Sequence, residues 1–214
     1  MTYDFESISS IVCSLESPKR YKHTLGVFKE ASALGEIFLP SKAEKLALAG
    51  LLHDITKDFN VDKHISLCEE YGVHVEKEGL VPKLLHSKTG CEYARRLFGE
   101  SIIDDEIYSS ILYHTTGKEG MSLFESIIYL ADYIEEGRTF EDCVVLRKFF
   151  YDKINTANSY DEKLSVLRET MILSFDFTIR GLIEESKLID YDTLSARNYF
   201  LKNKDVYKNI SVEG

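Results

Sequence analysis

Three observations predict an all-α fold. Apolar residues recur at three- and four-residue spacing along nearly the whole chain, no segment of useful length alternates like a half-buried strand, and all three prolines (Pro18, Pro40, Pro82) stand where a helix would begin. The chain has 214 residues, 44% of them hydrophobic, enough to bury one sizeable core, so a helical bundle forming a single domain is the expectation.

The elements follow in order. Phe5, Ile8, Ile11, Val12 and Leu15 share one helical face. Ser17-Pro18 is an N-cap followed by proline at the first helical position, opening a helix to about Leu34. Ser41-Lys42-Ala43-Glu44 has the form of a capping box and starts a helix through Leu46, Leu48, Leu51 and Leu52, ending near His53-Asp54. A short helix from Asp62 stops at Gly72, Val73–Val81 is read as a loop, and a helix from Pro82 stops at Gly99. Asp104 opens a helix that ends near His114. Ser122-Leu123-Phe124-Glu125 is a second capping box, whose helix reaches Asp132 and Glu136. Helices over 142–153, 160–185 and 193–202 complete the bundle. The organisation expected is an N-terminal helix over 1–17, the main domain over 18–202 and a tail over 203–214.

The formal net charge of −10 argues against broad contact with nucleic acid or an anionic membrane surface. A small anionic substrate stays compatible, because a bound metal and a few cations reverse the local sign inside a pocket. Cys13, Cys68, Cys91 and Cys143 lie far apart, which fits reduced thiols better than a zinc knuckle or a disulfide frame. Residues 1–10 lack the apolar stretch of a signal peptide, and no segment approaches the roughly 20 apolar residues that cross a bilayer. A cytoplasmic protein is expected.

Chemistry gathers at a few positions. His53 and Asp54 are adjacent at the end of an apolar helix, where burying a carboxylate beside an imidazole is costly without a partner. His23, His86 and His114 occupy apolar helical contexts on other helices, and Asp132 is likewise flanked by apolar residues. For a lone histidine, a hydrogen-bonded core position is the commoner reading. Four of them joined to two such aspartates point to a shared divalent cation, and imidazole with carboxylate suits iron, manganese or zinc. His64 and His74 sit among polar residues and are expected at the surface.

His23, His53-Asp54 and Asp132 form the H…HD…D pattern of the HD-domain metal-dependent phosphohydrolases. Four words extend the likeness: Ala49-Gly50-Leu51-Leu52-His53-Asp54-Ile55-Thr56-Lys57, Leu84-Leu85-His86-Ser87-Lys88-Thr89-Gly90, His114-Thr115-Thr116-Gly117 and Leu130-Ala131-Asp132-Tyr133-Ile134-Glu135-Glu136-Gly137-Arg138. Through them the chain resembles the YqeK family over about 17–200. The resemblance implies an HD-domain helical bundle, iron as cofactor, and symmetrical hydrolysis of diadenosine tetraphosphate to two ADP. It implies His23, His53, Asp54 and Asp132 as ligands of the principal metal. His86 and His114 match further histidines of the family site; they either bind a second metal bridged by Asp54 or donate hydrogen bonds to phosphate, and the sequence leaves both open. Where many relatives have Glu-Pro before the arginine, this chain has Glu136-Gly137-Arg138.

Within that reading a metal-activated water attacks phosphorus, with Asp54, Lys57, His86 and His114 as the catalytic group. Lys57 supplies a point charge, Arg20 and Arg138 are candidate phosphate clamps, and His86 or His114 can protonate the leaving oxygen. Thr115 is a candidate hydrogen-bonder, and Leu188, Ile189 and Asn198 are expected to wall the base or ribose. Bland alternatives stand beside these: a solvated helix end for Lys57 and Arg20, an ion pair with Glu135 or Glu141 for Arg138, orientation of Lys57 or plain surface for Asp58, and core packing for Tyr21, Tyr113 and Tyr133. Rival functions are a nucleotidase or nucleoside triphosphate hydrolase on the same site, and a non-catalytic nucleotide-sensing module. The expected partner is a dinucleoside polyphosphate or nucleotide; a homodimer is left open.

Overall fold

The structure, a computed structural model, describes residues 3–74 and 82–207. Among them are ten α-helices and no strand: α1 (Phe5–Leu15), α2 (Pro18–Phe38), α3 (Ala43–Leu52), α4 (Val61–Tyr71), α5 (Pro82–Phe98), α6 (Asp105–Tyr113), α7 (Leu123–Ile134), α8 (Glu141–Ile154), α9 (Tyr160–Glu184) and α10 (Tyr191–Lys202). The loop read over Val73–Val81 lies mostly outside the described residues; Val73 and His74 are not helical.

The caps explain most boundaries. Ser17 accepts from the Arg20 amide at the start of α2, and Asp104 accepts from Ile107 at the start of α6. Ser122 and Glu125 form the reciprocal capping box of α7. The box expected at Ser41 does not form. Pro40–Lys42 is a 3-10 turn, and α3 begins with no side-chain cap. The connection from α2 is so short that the Lys42 amide bonds to Leu39 O at 2.8 Å, which leaves Ser41 inside a turn of its own. α2 also runs past Leu34 to Phe38, because Leu34 and Phe38 continue its buried face until Pro40 interrupts.

α7 is the axis of the bundle. Only Asp132 and Tyr133 of its twelve residues fall outside the buried class, and it packs on α2, α6, α3, α8 and α9. α2 makes its most extensive contact with α3. Phe38, Phe124, Phe150, Phe175 and Phe200 are fully buried, each worth about 1.5–3 kcal/mol. Residues 203–207, expected as the start of a tail, carry Tyr207 into this core: it is 2% exposed and its hydroxyl donates to Ser126 Oγ at 2.7 Å. No described helix is long and apolar enough to cross a membrane.

Candidate metal centre

α2 presents Arg20 and His23 one helical turn apart, facing the end of α3. There the chain leaves α3 through successive tight turns, with Lys57 N bonded to Asp54 O at 2.8 Å and Phe59 N to Thr56 O at 3.0 Å. These turns push His53, Asp54 and Lys57 inward together. α7 delivers Asp132 in its last turn, α5 delivers His86 and the end of α6 delivers His114. Residues distant in the chain thus meet around one carboxylate, Asp54, which is 2% exposed.

The two oxygens of Asp54 face different neighbours. Oδ2 lies 2.7 Å from Arg20 Nη1, 3.5 Å from His53 Nε2 and 3.9 Å from His23 Nε2. His23 Nε2 is in turn 3.0 Å from Asp132 Oδ1, and His53 Nε2 is 3.7 Å from the same oxygen. Oδ1 lies 3.1 Å from His86 Nε2, 3.4 Å from His114 Nε2 and 3.9 Å from Lys57 Nζ. His86 and His114 meet Nε2 to Nε2 at 3.0 Å, and Lys57 Nζ is within 3.2 Å of both ring nitrogens of His86.

Hydrogen bonds behind the rings set their tautomers. Nδ1 of His53 donates to Gly50 O at 2.8 Å, and Nδ1 of His114 donates to Ile111 O at 2.7 Å. Both rings therefore present Nε2 to Asp54. His86 Nε2 stands between His114 Nε2 and Asp54 Oδ1, with Lys57 Nζ beside the ring.

The electrostatics follow. Burial opposes the charged form of Asp54, but the imidazoles gathered round it, His53 first and then His114 and His86, outweigh it and hold the carboxyl well below the usual range. Burial likewise opposes charge on Asp132, and Arg138 and His23 overcome it. Despite desolvation, His23 is pushed up to about 9 by Asp132 and Glu135. Burial takes His86 the other way, to about 4, and lowers Lys57.

Besides Arg20 Nε, three buried atoms here able to ligate a metal make no hydrogen bond of sound geometry: His23 Nε2, His53 Nε2 and Asp54 Oδ1. His23, His53 and Asp132 form one group able to hold a metal ion, and His53, Asp54 and His114 form a second that shares His53. Buried polar atoms left unpaired are costly, and a cation among such donors removes that cost.

Several expectations are relocated. Arg138 pairs with Asp132 rather than Glu135 or Glu141: Nε donates to Asp132 O at 2.9 Å and Nη2 bonds the carboxylate. Asp58 does not orient Lys57; it accepts from the Ser17 amide at 2.7 Å and so joins the start of α2 to the turn after α3. His64 is buried, not on the surface. Its Nδ1 lies 2.8 Å from Thr89 Oγ1, with Phe59 across the ring, because α4 folds back on α5. Thr56 donates to His86 O at 2.9 Å and ties the turn to α5. Thr115 Oγ1 lies 3.2 Å from His114 Nε2. Tyr21 reaches Ser9 and Tyr113 lies under Lys118, whereas Tyr133 faces a cavity.

That cavity, about 370 Å³, opens directly off the centre and is lined by His114, Thr115, Asp132, Tyr133, Arg138 and Phe140, together with Cys143 and Thr178. Leu188, Ile189 and Asn198 do not line it; Leu188 is 73% exposed. They lie at and beyond the α9–α10 connection, and α10 turns its buried face to α9 instead.

The sequence reading missed Glu135. Its Oε1 lies 3.0 Å from His23 Nδ1, and its Oε2 accepts from the Gly137 amide at 2.6 Å. A Cβ on Gly26 would stand 2.2 Å from Oε2, and one on Gly137 2.9 Å from it. Two glycines thus make room for this carboxylate, and a glycine inside a helix, as Gly26 is, carries the only sequence signal for it.

A model of the HD-domain family matches residues 20–137. The symmetrical bis(5'-nucleosyl)-tetraphosphatase of Halalkalibacterium halodurans is 32% identical over 182 residues, 85% of this chain and 89% of that protein. The protein of the same name from Bacillus subtilis is 35% identical over 140 residues, 64% of this chain and 73% of that one. A crystal structure from Clostridium acetobutylicum, described as a predicted HD superfamily hydrolase involved in NAD metabolism, superposes with a TM-score of 0.80. It shares 33% identity over 94% of this chain and 99% of that one.

Proposed function

Because the chain belongs to the HD-domain family and, within it, to the symmetrical bis(5'-nucleosyl)-tetraphosphatases, we propose that it is a metal-dependent phosphohydrolase cleaving diadenosine tetraphosphate to two ADP. The observation that carries the reading is the convergence of four histidines and Lys57 on the two oxygens of Asp54, with Asp132 against His23 and His53, beside a cavity of small-molecule size (about 300–1,000 Å³ is usual).

A divalent metal would be held by His23, His53, Asp54 and Asp132; the unpaired Nε2 atoms of His23 and His53, grouped with the Asp132 carboxylate, fit it. Bound there, it supplies Lewis-acid charge and a water of lowered pKa. We infer iron as the ion, on the strength of the YqeK likeness; imidazole and carboxylate donors are equally open to manganese and zinc. We assign one ion rather than two. Lys57 Nζ already stands 3.0 Å from His86 Nε2, and a cation bridging His86 and His114 would face that ammonium.

The protein's own groups do the rest. Lys57, with neutral His86 beside it, receives a phosphate oxygen and neutralises charge as it develops. His86 Nε2 lies next to Asp54, where a neutral ring's N–H can hydrogen-bond the leaving ADP oxygen, which departs as the phosphate anion without taking a proton from the ring. Arg20 and Arg138, at 26% and 27% side-chain exposure, reach from the ligand carboxylates to the open side and can grip phosphates bidentately. One nucleoside half enters the cavity, where Tyr133 and Phe140 offer faces for stacking and Thr115 and Thr178 offer hydroxyls. This places the base on the α7–α8 side rather than against Leu188, Ile189 and Asn198.

Metal content of anaerobically prepared protein, coupled to chromatography of its products, tests the reading. ADP as sole product from diadenosine tetraphosphate is expected. AMP with ATP would mean asymmetric cleavage; ADP binding without turnover under iron or manganese would mean a sensing module.

A further inference from the structure

We propose that Arg147 is a positioning residue for the metal centre, acting through the turn that joins α7 to α8; the proposal rests on the metal-site reading above. The last carbonyls of a helix have no partner within it. At the end of α7 a single guanidinium takes the last of them, Ile134 O, together with two carbonyls of the turn that follows. Arg147 Nε donates to Ile134 O at 2.6 Å, and Nη2 donates both to Glu135 O and, at 2.8 Å, to Arg138 O.

The pinned segment is the one that carries the partners of two ligands. Glu135 holds His23 through Nδ1, and Arg138 holds Asp132 through its backbone oxygen and its carboxylate. Between them lies Gly137, whose freedom leaves the turn to be fixed by other means; the Arg138 amide bonds to Glu135 O at 3.0 Å, and Arg147 closes the same turn from outside. Arg147 is itself half-buried, and Glu30, which accepts from the Tyr151 hydroxyl, lies on its electrostatic neighbourhood. A planar fork of five donors is the side chain that serves three carbonyls of one turn; lysine offers one nitrogen and cannot span them. Arg147 touches no reacting atom. Its effect reaches the centre by holding the backbone of Glu135 and Arg138 in place, and losing such outer support typically costs about 10–100-fold in metal affinity.

Calorimetric titration of metal-stripped protein with Mn²⁺ tests this without relying on turnover. Arg147→Gln is expected to weaken Mn²⁺ binding at least about tenfold, to lower kcat more than it raises KM, and to add little to the loss already caused by Glu135→Gln. Arg147→Lys, which keeps charge and stem, is expected to recover thermal stability but not Mn²⁺ affinity. A folded Arg147→Gln that binds Mn²⁺ within about twofold of the parent overturns the proposal, as do losses that add in full to those of Glu135→Gln. Should Arg147→Gln fail to fold, Arg147→Lys decides by the same criterion. A parent protein that takes up no Mn²⁺ would instead overturn the metal-site reading beneath it.

Discussion

The two flanks of Asp54 are built from the same residue type and behave in opposite ways. On the Oδ2 side, His23 is backed by Glu135 and faces Asp132, and these carboxylates push its imidazole up to about 9. On the Oδ1 side, His86 has Lys57 and His114 for neighbours, and burial takes it down to about 4. The first flank draws a cation, whether a proton or a metal. The second keeps a neutral ring beside an ammonium, an arrangement that accepts an anion. On the proposed reading one aspartate thus divides a metal side from a phosphate side, and the identity of the second neighbours, not of the histidines, makes the division.

Substitution of Asp132 should break the metal side most severely. Asp132→Ala is expected to lose metal and turnover while keeping its helical content, because Asp132 sits at the rim of the core on α7. Metal analysis and circular dichroism check this; full metal content would remove Asp132 from the ligand set. Lys57→Ala should act on the other side alone, lowering kcat by about 10²–10³ with metal content unchanged, as expected for a lost transition-state cation. Steady-state kinetics with metal analysis separate the two, and a Lys57 variant depleted of metal would abolish the division.

How much of this could be read from sequence differs between the flanks. Asp54, Asp132 and the four histidines stand out because buried polar residues in apolar helical surroundings demand partners, and local pattern reports those surroundings. Glu135 did not, since a glutamate near a helix end looks like any solvated charge in a chain of net charge −10. What identifies it is that Gly26, over a hundred positions upstream, leaves room for it, and only the packing of α2 on α7 brings the two together. The same limit governs Ser41 and Ser122. Both open the pattern of a capping box, yet the tight connection from α2 decides one and the free entry to α7 the other. His64 looked polar for the same reason: its burial comes from α5, which no nearby residue announces.

Gly26 offers a finer test of the metal side. An alanine there should stabilise an isolated helix by about 0.5–1 kcal/mol, yet its Cβ would displace the Glu135 carboxylate. Gly26→Ala is therefore expected to reduce Mn²⁺ affinity about tenfold while leaving Lys57-dependent phosphate contacts intact. Calorimetric titration checks it, and unchanged affinity would mean that Glu135 does not set the His23 ring.

The smallest effect concerns Glu16, which lies behind the metal side with both carboxylate oxygens buried and unbonded. Burial pushes its carboxyl up to about 7; the Thr24 hydroxyl and Arg20 counteract this in part, and Asp54 adds to it. The folded pKa thus exceeds the ordinary carboxylate value, so the folded chain binds more protons than the unfolded one between about pH 4.5 and 7. Its stability must fall as pH rises through that window, by about 3 kcal/mol at the upper limit. Glu16→Gln removes the titration, so the variant should match the parent near pH 5 and exceed it near pH 8 in urea unfolding. An equal difference at both pH values would mean that Glu16 is ionised in the folded protein. The Oδ2 flank would then hold one more negative charge, and its bias towards a cation would reach beyond His23, Asp132 and Glu135.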